Sequence, residues 1–410
     1  MSQTNNIHTI VIGGGQAGLC ASYYLSQQGI DHVVLERARI GERWRSERWD
    51  SLHFQFPNRY LRLPGFPYTG NAPDDFMHRD GVIDVIERYA THIQAPVQCG
   101  VDVQRLEQTA SGGFILHTNS GRLAADNVIL ATGPYQHTKR PSVSAALPRR
   151  LRQLPASAYS SAATLPAGGV MVVGAGGSGV QIAEDLLAAG RDTWLCVGNF
   201  KRMPRRYRGR EIMDWFEDLK LIEAMPLNPD PHDHAPLLTG VNGGYEVDLR
   251  RLVAAGATLL GRLEGTDPEN NEQIQLGDQL LEHMANAETA YQTVIANLEA
   301  AFAARGIEPA EPPGQPPAPG PLPPTPPTEL NLEAADINSI IWATGYGVDF
   351  TWVDCGDYHG DGMPVQKRGV STTPGLYYLG LFYLHNARST FFWGVGDDAK
   401  HVVDHIAQRT

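Results

Sequence analysis

Cysteine is scarce and badly placed for metal or redox work. Only four occur in 410 residues (Cys20, Cys99, Cys196, Cys355), with no C-x-x-C and no close pair. That argues against a structural zinc site, a disulfide framework and a redox dithiol, so no metal site is assigned, and it suits a reducing, cytoplasmic setting. Long apolar runs are missing too: no stretch approaches the roughly 18 residues a membrane helix needs. The opening residues lack a basic leader and a small-residue cleavage site, so neither a signal peptide nor a membrane span is expected. Positive charge is in deficit. A net charge of −12 argues against a general nucleic-acid binder, whose phosphate-tracking surface would be basic. One local exception stands out, Lys201 to Arg210 (KRMPRRYRGR), with six basic residues in ten. The rest, 42% hydrophobic and 19% charged, is ordinary soluble composition in a chain long enough for two or three domains.

The most informative stretch is Ile7 to Glu36 (IHTIVIGGGQAGLCASYYLSQQGIDHVVLE). A β-rich run feeds into Gly13-Gly14-Gly15-Gln16-Ala17-Gly18, an apolar-periodic segment follows, and a second apolar run ends in Glu36. The order is strand, glycine turn, helix, strand. Gly13, Gly15 and Gly18 match G-x-G-x-x-G: one for the tight turn, one for close backbone approach to a pyrophosphate, one for packing helix on strand. Glu36 lies 23 residues after Gly13, where a carboxylate can accept from a ribose hydroxyl. A glycine-rich turn without a ligand is the plainer alternative.

Residues 41–57 (GERWRSERWDSLHFQFP) mix Trp44, Trp49, Phe54 and Phe56 with Arg43, Arg45 and Arg48, which suits a flat aromatic ligand carrying a pyrophosphate; an ordinary amphipathic loop is the alternative. Residues 58–80, punctuated by proline and glycine, are expected to be irregular, with helix resuming near Val82 to Ile93. A β-meander is expected over Val101 to Leu123. A buried strand then runs into the small-residue turn Ala131-Thr132-Gly133, against which a cofactor could lie.

A second copy of the opening unit spans 170–198. Gly174-Ala175-Gly176-Gly177-Ser178-Gly179 repeats the glycine motif, so two dinucleotides are implied. No acid stands where Glu36 stands in the first copy; the chain instead reads Gly198-Asn199-Phe200-Lys201-Arg202. Cations there accommodate the 2′-phosphate of NADP, so Lys201 and Arg202 are the expected phosphate contacts and NADPH the expected second dinucleotide. A nucleic-acid patch and plain surface charge are the alternatives for the basic run.

Apolar residues at helical spacing (Leu280, Leu281, Met284, Ala287, Tyr291, Val294, Ile295, Leu298, Phe302) predict a long amphipathic helix within a 267–306 insertion, packed on the molecule or on a second copy in a homodimer. The proline-rich stretch 308–330 reads as an extended strap back to the first domain, or as a ligand for a proline-binding module. After it, Ile337 to Tyr346 repeats the small-residue turn as Ala343-Thr344-Gly345. Gly375 to Leu381 reads as a strand, and glycines at 394 and 396, with Asp397, open a final helix through His405, whose N-terminus would suit an electron-rich ring carbonyl.

Two glycine motifs, two Ala-Thr-Gly turns and a C-terminal Gly-Asp helix together resemble the two-dinucleotide-binding-domain flavoproteins, and within them the class B flavoprotein monooxygenases. The likeness covers nearly the whole chain apart from 265–335. It implies an α/β fold of two Rossmann-like domains, the second inserted in the first: an FAD domain from 1–150 and 336–410, and an NADPH domain from 151–335. In that family the first motif holds FAD, so Gly13, Gly15, Gln16, Ala17, Gly18, Glu36, Arg37, Trp44, Arg45, Trp49, Val103, Ala131, Thr132, Gly133, Ala343, Thr344, Gly345, Gly396 and Asp397 carry over as cofactor positions. Gly174, Gly176, Ser178 and Gly179, with Lys201 and Arg202, carry over to NADPH.

The resemblance also implies the reaction: hydride from NADPH to flavin N5, then one atom of O2 passed through a C4a-peroxyflavin to a small organic sulfide, amine or ketone. Gln55, aligned with an asparagine at the flavin edge, is the candidate for steadying the oxygenated flavin, and His385 and Trp393 are candidates for the pocket wall. The chain departs from the family fingerprint, F-x-G-x-x-x-H followed by an aromatic. Its segment Arg149 to Tyr159 has Arg149, Leu151 and Pro155 in place of the Phe, Gly and His and keeps only the aromatic, Tyr159. That leaves open an NADPH-dependent flavin reductase or oxidase that releases hydrogen peroxide and, from another class, a flavin-binding regulatory protein.

Overall fold

The computed structural model describes residues 6–223, 237–312 and 325–409. Its first unit is the one the opening stretch demands. Strand β1 (Asn6–Ile12) runs into helix α1 (Gln16–Gln27) and returns as β2 (His32–Glu36), parallel to β1 in the register Thr9 with His32 to Ile12 with Leu35. Helix α2 (Glu42–Ser46) is a single turn. Helix α3 (Arg79–His92) starts three residues before the sequence expectation and is followed by β3 (Val97–Cys99). The meander β4 (Val103–Gln108), β5 (Phe114–Thr118), β6 (Gly121–Leu130) is antiparallel. The far half of β6 then turns parallel beside β1. In space the sheet runs Leu376–Tyr378, β6, β1, β2, β3.

The second unit repeats the scheme with the parallel order Thr258–Leu260, Thr193–Cys196, Gly169–Val173, Ile337–Trp342, Arg152–Pro155. Helix α4 (Gly177–Ala188) follows the second glycine turn. The strand Ile337–Trp342 lies between Gly169–Val173 and Arg152–Pro155, so it belongs to this sheet. Assigning 336–410 wholly to the first domain is therefore corrected: the chain returns to the first unit only after Trp342. A run such as INSIIW is apolar throughout, and such a strand fits the buried centre of either parallel sheet.

Helices α5 (Ile212–Asp218), α6 (Leu249–Ala254) and α7 (Leu280–Arg305) complete the second unit. Helix α7 is the predicted long helix, and it packs within its own chain. Leu280, Met284 and Ala287 enter the core of the second unit, whereas Leu298 and Phe302 enter the core shared by α1, α3 and α5. Phe302 meets Trp215 edge-on at 4.7 Å. Burying side chains of this size contributes about 1.5–3 kcal/mol each, which suffices to fasten the helix across both units. Only Leu281 of the predicted apolar face is markedly exposed, at 43%.

The middle of the proline-rich strap falls in 313–324, outside the described residues. Beyond it the chain forms the strand Glu329–Asn331, paired antiparallel with Gln273–Leu276. Helix α8 (Val395–Ala407) closes the fold, burying Val395, Ala399, Val402 and Val403 in the core that also holds Leu19 and Leu25 of α1.

Candidate functional site

Both glycine turns are built from the same steric constraints. Gly13 has φ +116° and Gly174 φ +108°, backbone that a side chain resists. A Cβ at either would stand 2.5 Å from a carbonyl oxygen, that of Ala131 in the first unit and Ala343 in the second. The third glycine is tighter still: a Cβ on Gly18 would lie 1.9 Å from the Gly13 oxygen, and one on Gly179 1.8 Å from the Gly174 oxygen. The middle glycines differ in kind, since a Cβ on Gly15 or Gly176 would meet nothing within 4 Å. They face open space, which is the room a pyrophosphate needs against backbone. Each Ala-Thr-Gly turn is pinned to its glycine strand by one bond, Ala131 N–H to the Ile12 oxygen and Ala343 N–H to the Val173 oxygen, both at 2.9 Å.

Glu36 is 8% exposed. It accepts from Gly14 N–H at 2.8 Å and Ala38 N–H at 3.0 Å. One carboxylate oxygen accepts from each, and each oxygen can take a second donor, so the residue holds the turn and keeps capacity for a ribose hydroxyl.

A cavity of about 760 Å³ runs between the two turns. Its wall includes Gly13, Gly15, Gln16 and Ala17 from the first turn and Gly176 and Ser178 from the second. Of the other expected positions, Glu36, Arg37, Trp44, Trp49, Gln55, Val103, Ala131, Thr132, Gly133, Ala343 and Gly345 line it as well. Gly18, Gly174 and Gly179 stand behind the wall and shape the turns.

Other expected positions lie elsewhere. Arg45 reaches away to the Ile40 oxygen and to Glu87, tying α2 to α3. The Thr344 hydroxyl donates to the Lys139 oxygen. Gly396 is packed on Pro64, 2.7 Å from where its Cβ would be, and so serves closeness and not the cavity. Asp397 is a surface acid facing Arg388 at 3.4 Å; the buried acid of that turn is Asp398, 2% exposed, whose carboxyl burial pushes above the ordinary carboxylate range. His385 is exposed and off the wall. Trp393 stands one layer back, stacked on Phe391 at 4.7 Å and edge-on to Phe56 at 4.7 Å.

Phe391, Phe392, Tyr135 and Tyr346 line the cavity and went unassigned in the sequence. The run Phe391-Phe392-Trp393 before the last helix was the available signal, and its first two members are the ones that reach the cavity. Burial pushes the Tyr135 and Tyr346 phenols up, against the pull of Arg48.

The basic run corrects a larger expectation. Arg202 is turned inward, its side chain 8% exposed. It faces Glu246 at 3.2 Å, Asp248 at 3.3 Å and Glu288 at 2.5 Å and lies over the Tyr291 ring at 5.0 Å. Arg205 pairs with Glu211, Arg208 with Glu299 and Arg210 with Asp218. Neither Lys201 nor Arg202 lines the cavity, and Arg202 has three carboxylates to neutralise in place of a phosphate. Two of the acids, Glu288 and Glu299, come from α7, so the run fastens the long helix.

The fingerprint segment is placed structurally. Leu151 is buried, Arg152–Pro155 is the edge strand of the second sheet, and the Tyr159 hydroxyl donates to Asp185 at 2.5 Å. Among the described residues no group of three or more His, Cys, Asp or Glu could hold a metal ion, and no helix is long and apolar enough to cross a membrane.

Residues 10–209 match the family described as pyridine nucleotide-disulphide oxidoreductase. The chain is 29% identical over 407 residues to an uncharacterized oxidoreductase of Geobacillus kaustophilus, covering 98% of each. It is 28% identical over 228 residues to a probable indole-3-pyruvate monooxygenase of Arabidopsis thaliana, covering 53% of each. Among solved structures it is similar to a flavin-containing monooxygenase from Stenotrophomonas maltophilia, with a TM-score of 0.69, 19% identity and 99% of both chains covered. Two glycine turns open onto one cavity with no dithiol beside it, and the chain shares its fold with a flavin-containing monooxygenase.

Proposed function

We propose that this chain is an NADPH-reduced, FAD-dependent monooxygenase that puts one atom of O2 into a small apolar sulfide, amine or ketone. The supporting observation is the shared cavity. Residues of both glycine turns line it, giving two dinucleotides a common space in which their reactive rings can meet. FAD belongs at the first turn, where α1 presents its N-terminus and Glu36 its carboxylate. NADPH belongs at the second, against Gly176 and Ser178.

When bound, FAD supplies the redox chemistry, and the balance is NADPH, a proton, O2 and substrate giving NADP⁺, water and oxygenated substrate. The protein binds, orients and keeps water out. Phe54, Phe56, Phe391 and Phe392 line one side of the cavity and contact one another edge to face, at 5.7 Å for Phe54 with Phe56 and 5.7 Å for Phe54 with Phe392. Such a wall excludes solvent and offers an apolar substrate no competing charge. Gln55, between two of these rings, is the polar group we assign to hydrogen-bonding FAD, were it bound there.

The test is a stopped-flow record of the yellow holoenzyme, reduced anaerobically with NADPH and mixed with oxygen. A transient near-ultraviolet band, distinct from reduced and oxidised flavin, is the expected result. Direct return to oxidised flavin with stoichiometric peroxide, unaltered by added sulfide, amine or ketone, would replace this reading with a reductase or oxidase.

A further inference from the structure

The wall segment 50–62 belongs by sequence to the first unit, yet the second unit holds it along its length. Asp50 N–H donates to the Ser160 oxygen at 2.8 Å, and the Ser51 hydroxyl donates to Asp185 at 2.5 Å. A Cβ on Gly240 would stand 2.0 Å from the Phe54 oxygen. Arg59 and the Tyr60 hydroxyl both donate to Asp214, at 2.8 and 2.6 Å, and Arg62 reaches Glu217 at 2.7 Å. At the centre, where the segment faces the cavity, the contact is Arg205 Nη1 donating to the Gln55 backbone oxygen at 2.6 Å.

Arg205 is itself fixed from three sides. Its Nε donates to Glu211 at 2.5 Å, with both side chains almost fully buried at 5% and 4% exposure. Its guanidinium lies 4.4 Å from the Phe76 ring centre, and its own N–H donates to Glu246 at 3.2 Å. As a packing device the pair is poor. Arg205 Nη2 and Glu211 Oε2 are buried without a hydrogen-bond partner among the described residues, and an apolar pair of similar volume often holds a core as well as a buried ion pair does. An apolar side chain could not donate to the Gln55 oxygen.

We infer that Arg205 is a positioning residue for the oxygen-transfer side of the cavity: anchored by Glu211, it holds the Gln55 carbonyl and so sets where Gln55 and its flanking Phe54 and Phe56 stand. The NADPH unit thereby controls the wall against which oxygen is handled, although it contributes no atom of Arg205 to that wall. This rests on the monooxygenase reading above, and it assigns to a residue of the basic run a task other than phosphate binding.

The test compares wild-type, R205K, R205M and E211Q holoenzymes, with methyl phenyl sulfide as the probe substrate. Two quantities are read: hydrogen peroxide released per NADPH consumed, and amide hydrogen exchange in the peptide spanning His53 to Phe56. R205M is expected to raise the peroxide ratio about threefold or more and to speed exchange in that peptide, with R205K recovering most of both. A wild-type peroxide ratio and unchanged exchange in R205M would overturn the inference. So would equal loss in R205K and R205M that merely follows their fall in melting temperature. Should R205M fail to fold, E211Q decides by the same two quantities, faster exchange at 53–56 supporting the inference and wild-type exchange overturning it. If the wild-type enzyme oxygenates nothing, the monooxygenase reading falls on its own, while the exchange measurement still decides whether Arg205 holds the segment.

Discussion

The chain contains the same device twice, and the two copies part most plainly where the next strand ends. In both, the first glycine avoids a carbonyl of an Ala-Thr-Gly turn by the same 2.5 Å, and the third avoids the first by 1.9 or 1.8 Å. In the first copy the following strand delivers Glu36 back onto the turn. In the second, no side chain among the described residues returns in that way. Arg202, which follows, turns inward to meet Glu288 of α7 and Glu246. The turn is therefore a steric object set by its own few residues and by the one Ala-Thr-Gly carbonyl it packs on. What meets the cations after the second turn is a tertiary matter, decided by which distant chain passes near.

The strongest way to break that parallel is to put a methyl into each turn. Gly18→Ala forces a Cβ onto the Gly13 oxygen, a backbone atom that cannot swing aside, so the cost exceeds the roughly 1–3 kcal/mol of ordinary overpacking. The purified protein is expected to be colourless or unfolded, read from its ratio of visible flavin to protein absorbance. Gly179→Ala meets the same obstacle in the other unit. Holoprotein carrying it should stay yellow and be reduced by NADPH about 100-fold more slowly, because small displacements of a reacting group cost that much. Equal loss of flavin from both variants would show that the turns do not serve separate dinucleotides.

Next in size is Arg202→Met, which probes the feature in which the copies part. Removing the cation takes the arginine from buried Glu246, which keeps the Arg205 N–H, while Asp248 keeps Arg250, and breaking a buried pair on one side costs about 3–5 kcal/mol. The loss should appear in urea unfolding of the whole chain, while the preference of the folded enzyme for NADPH over NADH changes by less than about twofold. A tenfold loss of that preference at unchanged stability would restore Arg202 to the phosphate.

These cases also show how much could be read from the sequence. Both glycine turns, the meander, α3, α7 and the last helix were legible because each is written in local terms: a backbone angle only glycine takes freely, an alternation of two, a period near 3.6. The fate of the basic run was not, because six cations in ten residues look alike until Glu288 and Glu299 arrive from nearly a hundred residues away. The sheet that receives Ile337–Trp342 was hidden for the same reason, since an all-apolar strand carries no mark of its neighbours. In the candidate site, Gly13, Gly15, Gly176, Glu36, Trp44, Trp49 and Gln55, all named from the sequence, line one cavity. Trp393 was named in place of Phe391, its stacked neighbour, because adjacent aromatics give no sign of which one faces inward.

A smaller effect sharpens the first copy. Glu36→Gln keeps the shape and can still accept from Gly14 N–H, but it loses the charge that strengthens such bonds and sets an NH2 where Ala38 N–H now donates. A loss of about 1.5 kcal/mol, or about tenfold in FAD affinity, is expected by titration of apoprotein. An unchanged affinity would mean that Glu36 serves the turn alone.

The smallest effect lies at the fifth residue after the third glycine, which is Tyr23 in the first copy and Glu184 in the second. Glu184 sits on α4 and accepts from the Tyr245 hydroxyl. Burial raises its carboxyl above the ordinary 4.5, against the opposing pull of Tyr245 and Arg251. The sign follows from linkage. Below pH 4.5 the folded and unfolded chains both hold the proton and this residue costs nothing. As pH rises through the raised folded value, the unfolded chain has already released its proton, so stability falls and then levels off. The loss is about 1.4 kcal/mol for each pH unit by which folding raises the carboxyl. Glu184→Gln keeps an acceptor for Tyr245 and removes the titration. Wild type and variant should thus unfold alike near pH 4 and diverge toward pH 7, with the variant the more stable, as read by urea midpoints across that range. A gap that is constant with pH would show that the second helix tolerates its buried acid for packing alone, and the two copies would then differ there in shape and not in charge.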